Sequence, residues 1–322
     1  MPSSDLYGEL RPWAFAIAYR MLGSVSEAED VVQEAFLRLH QALQRDEQIA
    51  SPRAYIATLV TRLAIDQLRS ARMQRERYVG EWLPEPLVGE QSPAERAETA
   101  DSLSLAFLVL LESLSPRQRA AFLLREVFDY PYREVAEIIG TDVDSTRHLV
   151  ARARAHVQER RPRYYASRRQ REELARRFFA AVEEGNLLAL EALLARDVAL
   201  HGDGGGKVPA LARPVKGRER VAKLLLISMS TVAHGGGVRL DVTEVNSQPG
   251  VMVFDAHDHL VAVLGLDIAE GQVRAIHCIV NPDKLRHIAR VGDLVALVRA
   301  GRQPRTARPP AKPTAVRPSN DR

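Results

Sequence analysis

The segment LSPRQRAAFLLREVFDYPYREVAEIIGTDVDSTRHLVARARAHV, Leu114 to Val157, is punctuated tightly enough to dictate its own fold. Ser115, Pro116 and Gln118 make a capping box that opens a helix running through Ala120, Phe122, Leu123 and Val127. Pro131 opens a second helix with Val135, Ala136, Ile138 and Ile139 facing inward, and Gly140 supplies a tight turn. Asp142 caps a third helix, whose Val143, Thr146, Val150, Ala153 and Val157 recur at alternating spacings of three and four. This is the period of a helix-turn-helix. Asp144, Ser145, Arg147, His148, Ala151 and Arg152 are left on the outer face, near the helix end that enters a major groove in this motif. Arg147 and Arg152 are candidate contacts, and base or phosphate recognition both remain open for them.

A second helical block lies upstream. Ser26 and Glu29 read as a capping box, followed by an apolar face of Val31, Val32, Ala35, Phe36 and Leu39, with Asp30, Gln33, Glu34 and Arg38 turned elsewhere. Ser51 and Pro52 start another helix, whose inner side is Tyr55, Ile56, Leu59, Val60, Leu63 and Ala64. By periodicity alone this is a helical bundle with one acidic and one basic solvated face.

At 322 residues the chain is long enough for two or three domains with separate cores. No apolar run could span a membrane, and the N-terminus lacks the basic-then-apolar pattern of a signal peptide, so a cytoplasmic protein is expected. The single cysteine, Cys278, fits a reducing compartment and excludes a multi-thiolate metal site. The net charge is +4, but the arginines cluster: Arg53, Arg62, Arg69, Arg72, Arg75 and Arg77 in one stretch, Arg147, Arg152, Arg154, Arg160, Arg161 and Arg163 in another. Such stripes suit a phosphate backbone, as they also suit any long solvated helix.

DVVQEAFLRLH resembles the segment by which bacterial sigma factors of the sigma-70 family grip RNA polymerase, and TRLAIDQLRSAR is similar to the helix that meets the upstream edge of melted promoter DNA. With the helix-turn-helix, the resemblance is to the extracytoplasmic-function sigma factors. It implies that Asp30, Gln33, Glu34 and Arg38 contact polymerase, that Arg62, Asp66, Arg69 and Arg72 face the −10 element, and that Asp144, Ser145, Arg147, His148 and Arg152 face the −35 element. The loop of roughly Gln41 to Ala50 would capture a flipped base and set base preference. Many relatives carry asparagine where this chain has Arg62, so a phosphate contact stands beside base reading there.

Between the blocks, Gln74 to Ala100 contains EWLPEPLVGEQSP, whose Pro84, Pro86 and Pro93 prevent a continuous helix and hold the two modules apart. Trp82 and Leu83 would be wasted on solvent in a free linker, so the segment is expected to dock. After ERRPRYYASRRQREELARR the pattern becomes helices (Leu174 to Glu184, Leu187 to Leu194, Arg218 to Ser230) and then strands (Val238 to Val245, Val251 to Phe254, Leu260 to Ile268, Val273 to Val280). The expected fold is therefore two all-α helical domains followed by an α+β cone, which resembles the SnoaL-like, nuclear-transport-factor-2-like (NTF2-like) fold.

WLPEP (Trp82, Leu83, Pro84, Glu85, Pro86), DGGGK (Asp203, Gly204, Gly205, Gly206, Lys207) and NPDKL (Asn281, Pro282, Asp283, Lys284, Leu285) together look like the sigma-factor subgroup with a fused C-terminal SnoaL-like domain. The resemblance implies that this domain replaces a separate anti-sigma protein by touching the linker and the DNA-binding modules. On their own residues the motifs have plainer readings. DGGGK is not a Walker A loop, since Val208 follows the lysine, and reads as a turn for close backbone approach. In NPDKL, Asn281 caps a helix, Pro282 takes its first position and Asp283 its first turn. His257, Asp258 and His259 read as a hairpin turn rather than a metal site, while His201, Asp203, Asp267 and His277 could line a pocket.

The expected organisation is residues 1–75 as a region 2 domain, 76–100 as linker, 101–163 as a region 4 helix-turn-helix domain, 164–290 as the SnoaL-like domain and 291–322 as a largely disordered basic tail. The resemblance implies a sigma factor that takes core RNA polymerase, through its clamp and flap, to −35/−10 promoters. It implies no cofactor, no membrane partner, a monomer when free and no catalysis. A small ligand in the C-terminal cone is left open as a further partner, and a ligand-sensing one-component regulator and a SnoaL-like enzyme with a DNA-binding appendage are the competing readings.

Overall fold

The computed structural model describes residues 4–75, 78–89, 102–159 and 167–302. Arg77, Arg160, Arg161, Arg163 and the tail beyond residue 302 lie outside the described residues, as does the side chain of Arg72. Three helices come first: α1 (Ser4–Leu22), α2 (Val25–Gln44) and α3 (Pro52–Arg75). The helix-turn-helix block follows as α4 (Leu105–Leu111), α5 (Pro116–Phe122) with a π-helical last turn at Leu123–Val127, α6 (Tyr132–Ile139) and α7 (Val143–Gln158). The punctuation acts as expected. Ser115 and Gln118 form the reciprocal capping box, Gly140 terminates α6 at φ 68°, and Asp142 accepts from the Ser145 N–H at 2.7 Å.

Two local expectations need correction. The cap of α2 is Ser24, not Ser26: the extended Ser24 accepts from the Glu27 N–H, while Glu29 is drawn away into an ion pair with Arg11 at 2.7 Å. Helix α2 also runs through Gln44, which leaves only a short loop of the Gln41 to Ala50 segment before α3.

The linker does not hold the two helical blocks apart. Leu103, Phe107, Leu108 and Leu111 of the second block are buried in one continuous core with Ile17, Met21 and Leu22 of α1 and with Val60, Ala64 and Leu68 of α3. The physical reason is that the short helix α4, LAFLVLL, is apolar all round and must be covered on more than one side: Phe107, Leu108 and Leu111 face this core while Leu105 turns to the sheet.

The third unit comprises α8 (Arg168–Glu183), α9 (Leu187–Leu193), β1 (Leu194–Asp203), β2 (Val215–Lys216), α10 (Arg218–His234), β3 (Val238–Val245), β4 (Gln248–Asp255), β5 (Leu260–Ala269), β6 (Gln272–Ile279), α11 (Pro282–Leu285) and α12 (Leu294–Arg302). Its sheet has the order β2-β1-β6-β5-β4-β3, antiparallel except where β1 lies parallel to β6. The sequence pattern did not anticipate β1, since LARDVALHGD follows a helix directly and carries three charged residues, nor α12, which packs its Leu297 toward α10 inside the expected tail. Phe178, Leu190, Val198, Val221, Leu266 and Ile276 form this unit's own core. A smaller cluster, Leu83, Leu105, Val245, Leu260, Val263, Ile279 and Leu285, joins the linker, α4 and the sheet.

Candidate polymerase, promoter and interdomain sites

On α2, Asp30 and Gln33 are exposed, and Glu34 is tied to Arg38 one turn on at 2.7 Å. The buried face (Val31, Val32, Ala35, Phe36, Leu39) fixes the helix roll and so turns these four polar residues outward. Exposed apolar Leu37 lies among them. The face is polar, accessible and rigidly presented, which suits protein recognition.

Helix α3 presents Arg62, Asp66 and Arg69 along one side, with Asp66 and Arg69 paired at 3.2 Å. Arg62 is occupied. Its Nε donates to the Ile138 carbonyl and its Nη2 to the Glu137 carbonyl, both at 2.9 Å. These are end carbonyls of α6, which have no partner within their own helix and sit at its negative pole. Arg119 of α5 makes the converse contact: its Nε donates at 3.1 Å to the carbonyl of Arg20, near the end of α1. Each helical block thus supplies an arginine that caps a helix of the other. Arg119 is 2% exposed, paired with Glu112 at 2.5 Å, and burial pulls it down to about 9. Sequence reasoning missed this residue, because an arginine inside a basic helix carries no mark of burial.

Helix α7 keeps Asp144, Ser145, Arg147, His148 and Arg152 exposed. The Ser145 hydroxyl donates to the capping carboxylate of Asp142 at 2.6 Å, and Arg147 pairs with Asp144 at 2.9 Å. In this arrangement the outer face of α7 is exposed to solvent while Arg62 on α3 is engaged within the molecule.

The linker crosses between the first helical block and the sheet. Glu85 caps α2 from outside its own segment, accepting from the Val25 N–H at 2.7 Å, the Ser26 N–H at 3.3 Å and the Ser24 hydroxyl at 2.9 Å. The Tyr19 hydroxyl donates to the Glu85 carbonyl at 2.6 Å, and the Glu85 N–H to the Gly23 carbonyl at 2.8 Å. Gly23, at φ 69°, lies under the Trp82 ring, where any Cβ would come within 2.8 Å of the indole. Leu83 and Pro84 are buried, and the Pro86 carbonyl accepts from His287 at 2.9 Å. Leu87 exchanges backbone and side-chain hydrogen bonds with Asn246, whose amide also donates to the Tyr19 hydroxyl at 2.7 Å and the Leu103 carbonyl at 3.0 Å. Asn246, in a left-handed turn at φ 51°, ties α1, the linker and the sheet together; its only sequence signal was its place between two strands.

DGGGK and NPDKL meet at the same place. Asp203, fully buried, accepts from the Tyr78 hydroxyl at 2.6 Å and the Gly205 N–H at 3.0 Å through one oxygen, and from the Leu83 N–H at 2.8 Å and Lys284 at 2.7 Å through the other. Lys284 also donates to the Leu83 carbonyl, and its ammonium lies 4.2 Å from the Trp82 ring centroid and 5.2 Å from that of Tyr78. Asn281 and Pro282 open α11 in their expected capping roles, Asp283 pairs with Lys207, and the Asn281 amide donates to Tyr78 at 2.9 Å. The positive φ of Gly205 lets the backbone pass directly over the Asn281 side chain. Gly204, Gly206 and Leu285 complete the two motifs, Leu285 inside the small cluster under the linker.

Tyr78, which belongs to none of the three motifs, has its hydroxyl pushed well above the ordinary tyrosine range by burial and by Asp203. Of the other pocket candidates, His201 stacks on His277 at 5.0 Å and bonds the linker's Glu81 at 2.7 Å, while burial pushes His277 down to about 3. His257, Asp258 and His259 form the β4–β5 turn, organised by Asp255 accepting from the His257 and His259 N–H groups at 2.8 and 2.9 Å. No metal-binding group exists among the described residues, and no described helix is long and apolar enough to cross a membrane.

Residues 6–73 match the model for sigma-70 region 2, and residues 104–157 that for sigma-70 region 4. The ECF RNA polymerase sigma factor SigJ of Mycobacterium tuberculosis is 36% identical over 286 residues, covering 85% of this chain and 90% of SigJ. A second protein of that organism, named a probable ECF RNA polymerase sigma factor, SigI, is 33% identical over 88% of this chain and 95% of its own length. The crystal structure of the M. tuberculosis SigJ superposes with a TM-score of 0.70 at 33% identity, covering 87% of this chain and 97% of SigJ. The chain therefore belongs to the extracytoplasmic-function sigma factors of the sigma-70 family, in the group that carries a C-terminal SnoaL-like, NTF2-like domain.

Proposed function

We propose that this alternative sigma factor folds, when free, into a self-closed state in which its C-terminal domain and linker hold regions 2 and 4 together. The observation that carries the reading is the engagement of Arg62, a residue of the promoter-facing side of α3, by the α6 carbonyls of Glu137 and Ile138. Sigma regions 2 and 4 imply RNA polymerase and promoter DNA as partners. Reading two separated promoter elements requires the blocks to part, and Arg62 and Arg119 are then released together.

Within this reading Asp30, Gln33, Glu34 and Arg38 meet the polymerase clamp, and region 4 meets the flap. Arg62, Asp66, Arg69 and Arg72 serve the −10 element, and Asp144, Ser145, Arg147, His148 and Arg152 the −35 element. WLPEP, DGGGK and NPDKL act as the lock. The working units are residues 1–75, 76–100, 101–163 and 164–290. The exposed α2 face supports a sequence in which polymerase engages the closed form first. The C-terminal domain acts by contact rather than catalysis: both oxygens of Asp203, the candidate acid or base of a SnoaL-like enzyme, are already taken by four donors.

The test is transcription of a promoter library by core polymerase with wild type, Asp203→Asn, and the Asp30→Ala, Glu34→Ala double variant. Start sites that depend on the protein, increase with Asp203→Asn and vanish with the double variant are expected. Unchanged transcription from the double variant refutes the clamp assignment, and unchanged transcription from Asp203→Asn refutes the lock.

A further inference from the structure

Tyr132, the first residue of α6, is none of the residues that the sequence marked for DNA. Two guanidinium groups nevertheless lie over its ring: that of Arg125 at 5.1 Å from the centroid and that of Arg147 at 5.8 Å. Arg125 is anchored on its other side by Asp129 at 3.2 Å and the Tyr130 carbonyl at 3.0 Å, which makes it a fixed neighbour. Arg147 belongs to α7, with 61% of its side chain exposed, and its second partner is Asp144 at 2.9 Å. The Tyr132 hydroxyl end meets Arg154, which is paired with Glu126 at 2.6 Å. Arg147 is thus held between an aromatic face and a carboxylate, both from the helix-turn-helix itself.

That environment discriminates between the two roles left open for Arg147. A free arginine samples many rotamers, and a phosphate contact tolerates this because it needs charge more than orientation. Bidentate recognition of guanine O6 and N7 needs the guanidinium fork in a set plane, which a ring contact and an ion pair provide. Asp144, with its side chain 82% exposed at the first turn of α7, also repels a phosphate approaching the same spot, whereas a base edge carries no net charge. We propose that Arg147 reads a guanine of the −35 element and that Tyr132 is the positioning residue that sets its plane. The inference rests on α7 being the element that enters the groove.

The experiment randomises the −35 element in the promoter library and compares full-length wild type with Tyr132→Phe, Tyr132→Leu, Arg147→Ala and Arg147→Lys. Each is made in the natural chain and in the Asp203→Asn chain, with core polymerase present. Wild type and Tyr132→Phe, which keeps the ring and loses only the hydroxyl, are expected to prefer guanine at one position. Arg147→Ala, Arg147→Lys and Tyr132→Leu are expected to lose that preference at the same position, on the order of tenfold or more, with other positions unchanged. Rescue by lysine, or a uniform loss across all sequences, would assign Arg147 to a phosphate and overturn the proposal. Full preference in a folded Tyr132→Leu protein would remove Tyr132 from it, and Arg147→Ala, a change at an exposed site, reports on the guanine independently of any folding defect. If no α7 substitution alters any position of a library that wild type transcribes, the recognition-helix assignment fails and this proposal with it. If wild type and Asp203→Asn both give no start sites, the promoter reading itself fails.

Discussion

Asp203→Asn tests the lock where its energy is concentrated. The carboxylate is fully buried and receives four donors, and the Lys284 ammonium beside it has only 7% of its side chain exposed. An asparagine fills the same volume but has a single acceptor oxygen, so in either orientation its amide nitrogen confronts two donors. The Tyr78 hydroxyl can turn to accept from that nitrogen, so the better orientation keeps the oxygen for Lys284 and Leu83. The ammonium then lies buried without a counter-charge, and removing one partner of a buried pair costs about 3–5 kcal/mol. Three partners of the cluster, Tyr78, Trp82 and Leu83, belong to the linker, and the ammonium regains water most easily if the linker lifts. If about 3 kcal/mol of the cost falls on linker docking, the opening equilibrium rises roughly 10²-fold. Hydrogen exchange at the Leu83 amide, which donates directly to Asp203, reads this opening, and Trp82 emission gives a second signal. Adding Lys284→Met to Asp203→Asn is expected to restore part of the protection, because the orphaned charge is gone. Unchanged Leu83 exchange alongside a large fall in global stability would refute the reasoning, since Asp203 would then support only the domain's own fold.

Gly23→Val is expected to displace Trp82 and raise linker exchange while α2 remains folded, as checked by the same exchange map, because its Cβ would meet the indole at 2.8 Å. Arg62→Ala removes a contact that is only partly shielded from solvent, so closure is expected to weaken by only about 1 kcal/mol, seen as a modest rise in the distance between labels on regions 2 and 4. His277 is held neutral, with its folded pKa lowered to about 3 against an ordinary 6.5. The unfolded chain therefore binds the proton first as pH falls through that window, and the stability present above pH 6.5 is progressively lost below it. Between pH 6.5 and 5 this one residue should account for about 2 kcal/mol, and urea titrations of His277→Gln should show a correspondingly flatter acid limb. Cys278 is half-buried, and desolvation together with the nearby Asp203 carboxylate pushes its thiol up to about 12, so at pH 8 it should alkylate more slowly in the native protein than after urea unfolds the chain.

Much of this protein was legible in its sequence where the physics is local. The caps at Ser115 and Asp142, the left-handed Gly140 and the helical spacing of Thr146, Val150, Ala153 and Val157 fix a helix-turn-helix within a few dozen residues, because helix ends and faces depend on near neighbours. The outward set of α2 and the capping role of Asn281 follow for the same reason. The SPREAD of WLPEP, DGGGK and NPDKL along the chain gave a family resemblance but no geometry. Only the tertiary structure brought Leu83, Asp203 and Lys284 within hydrogen-bond reach across separations of 120 and 81 residues, buried the unremarked Arg119, and set Arg62, which the family resemblance had assigned to promoter DNA, on the end of a helix in the other block. A buried charge or an uncapped carbonyl takes whichever partner the assembled fold offers, and periodicity along the chain carries no information about which one that is.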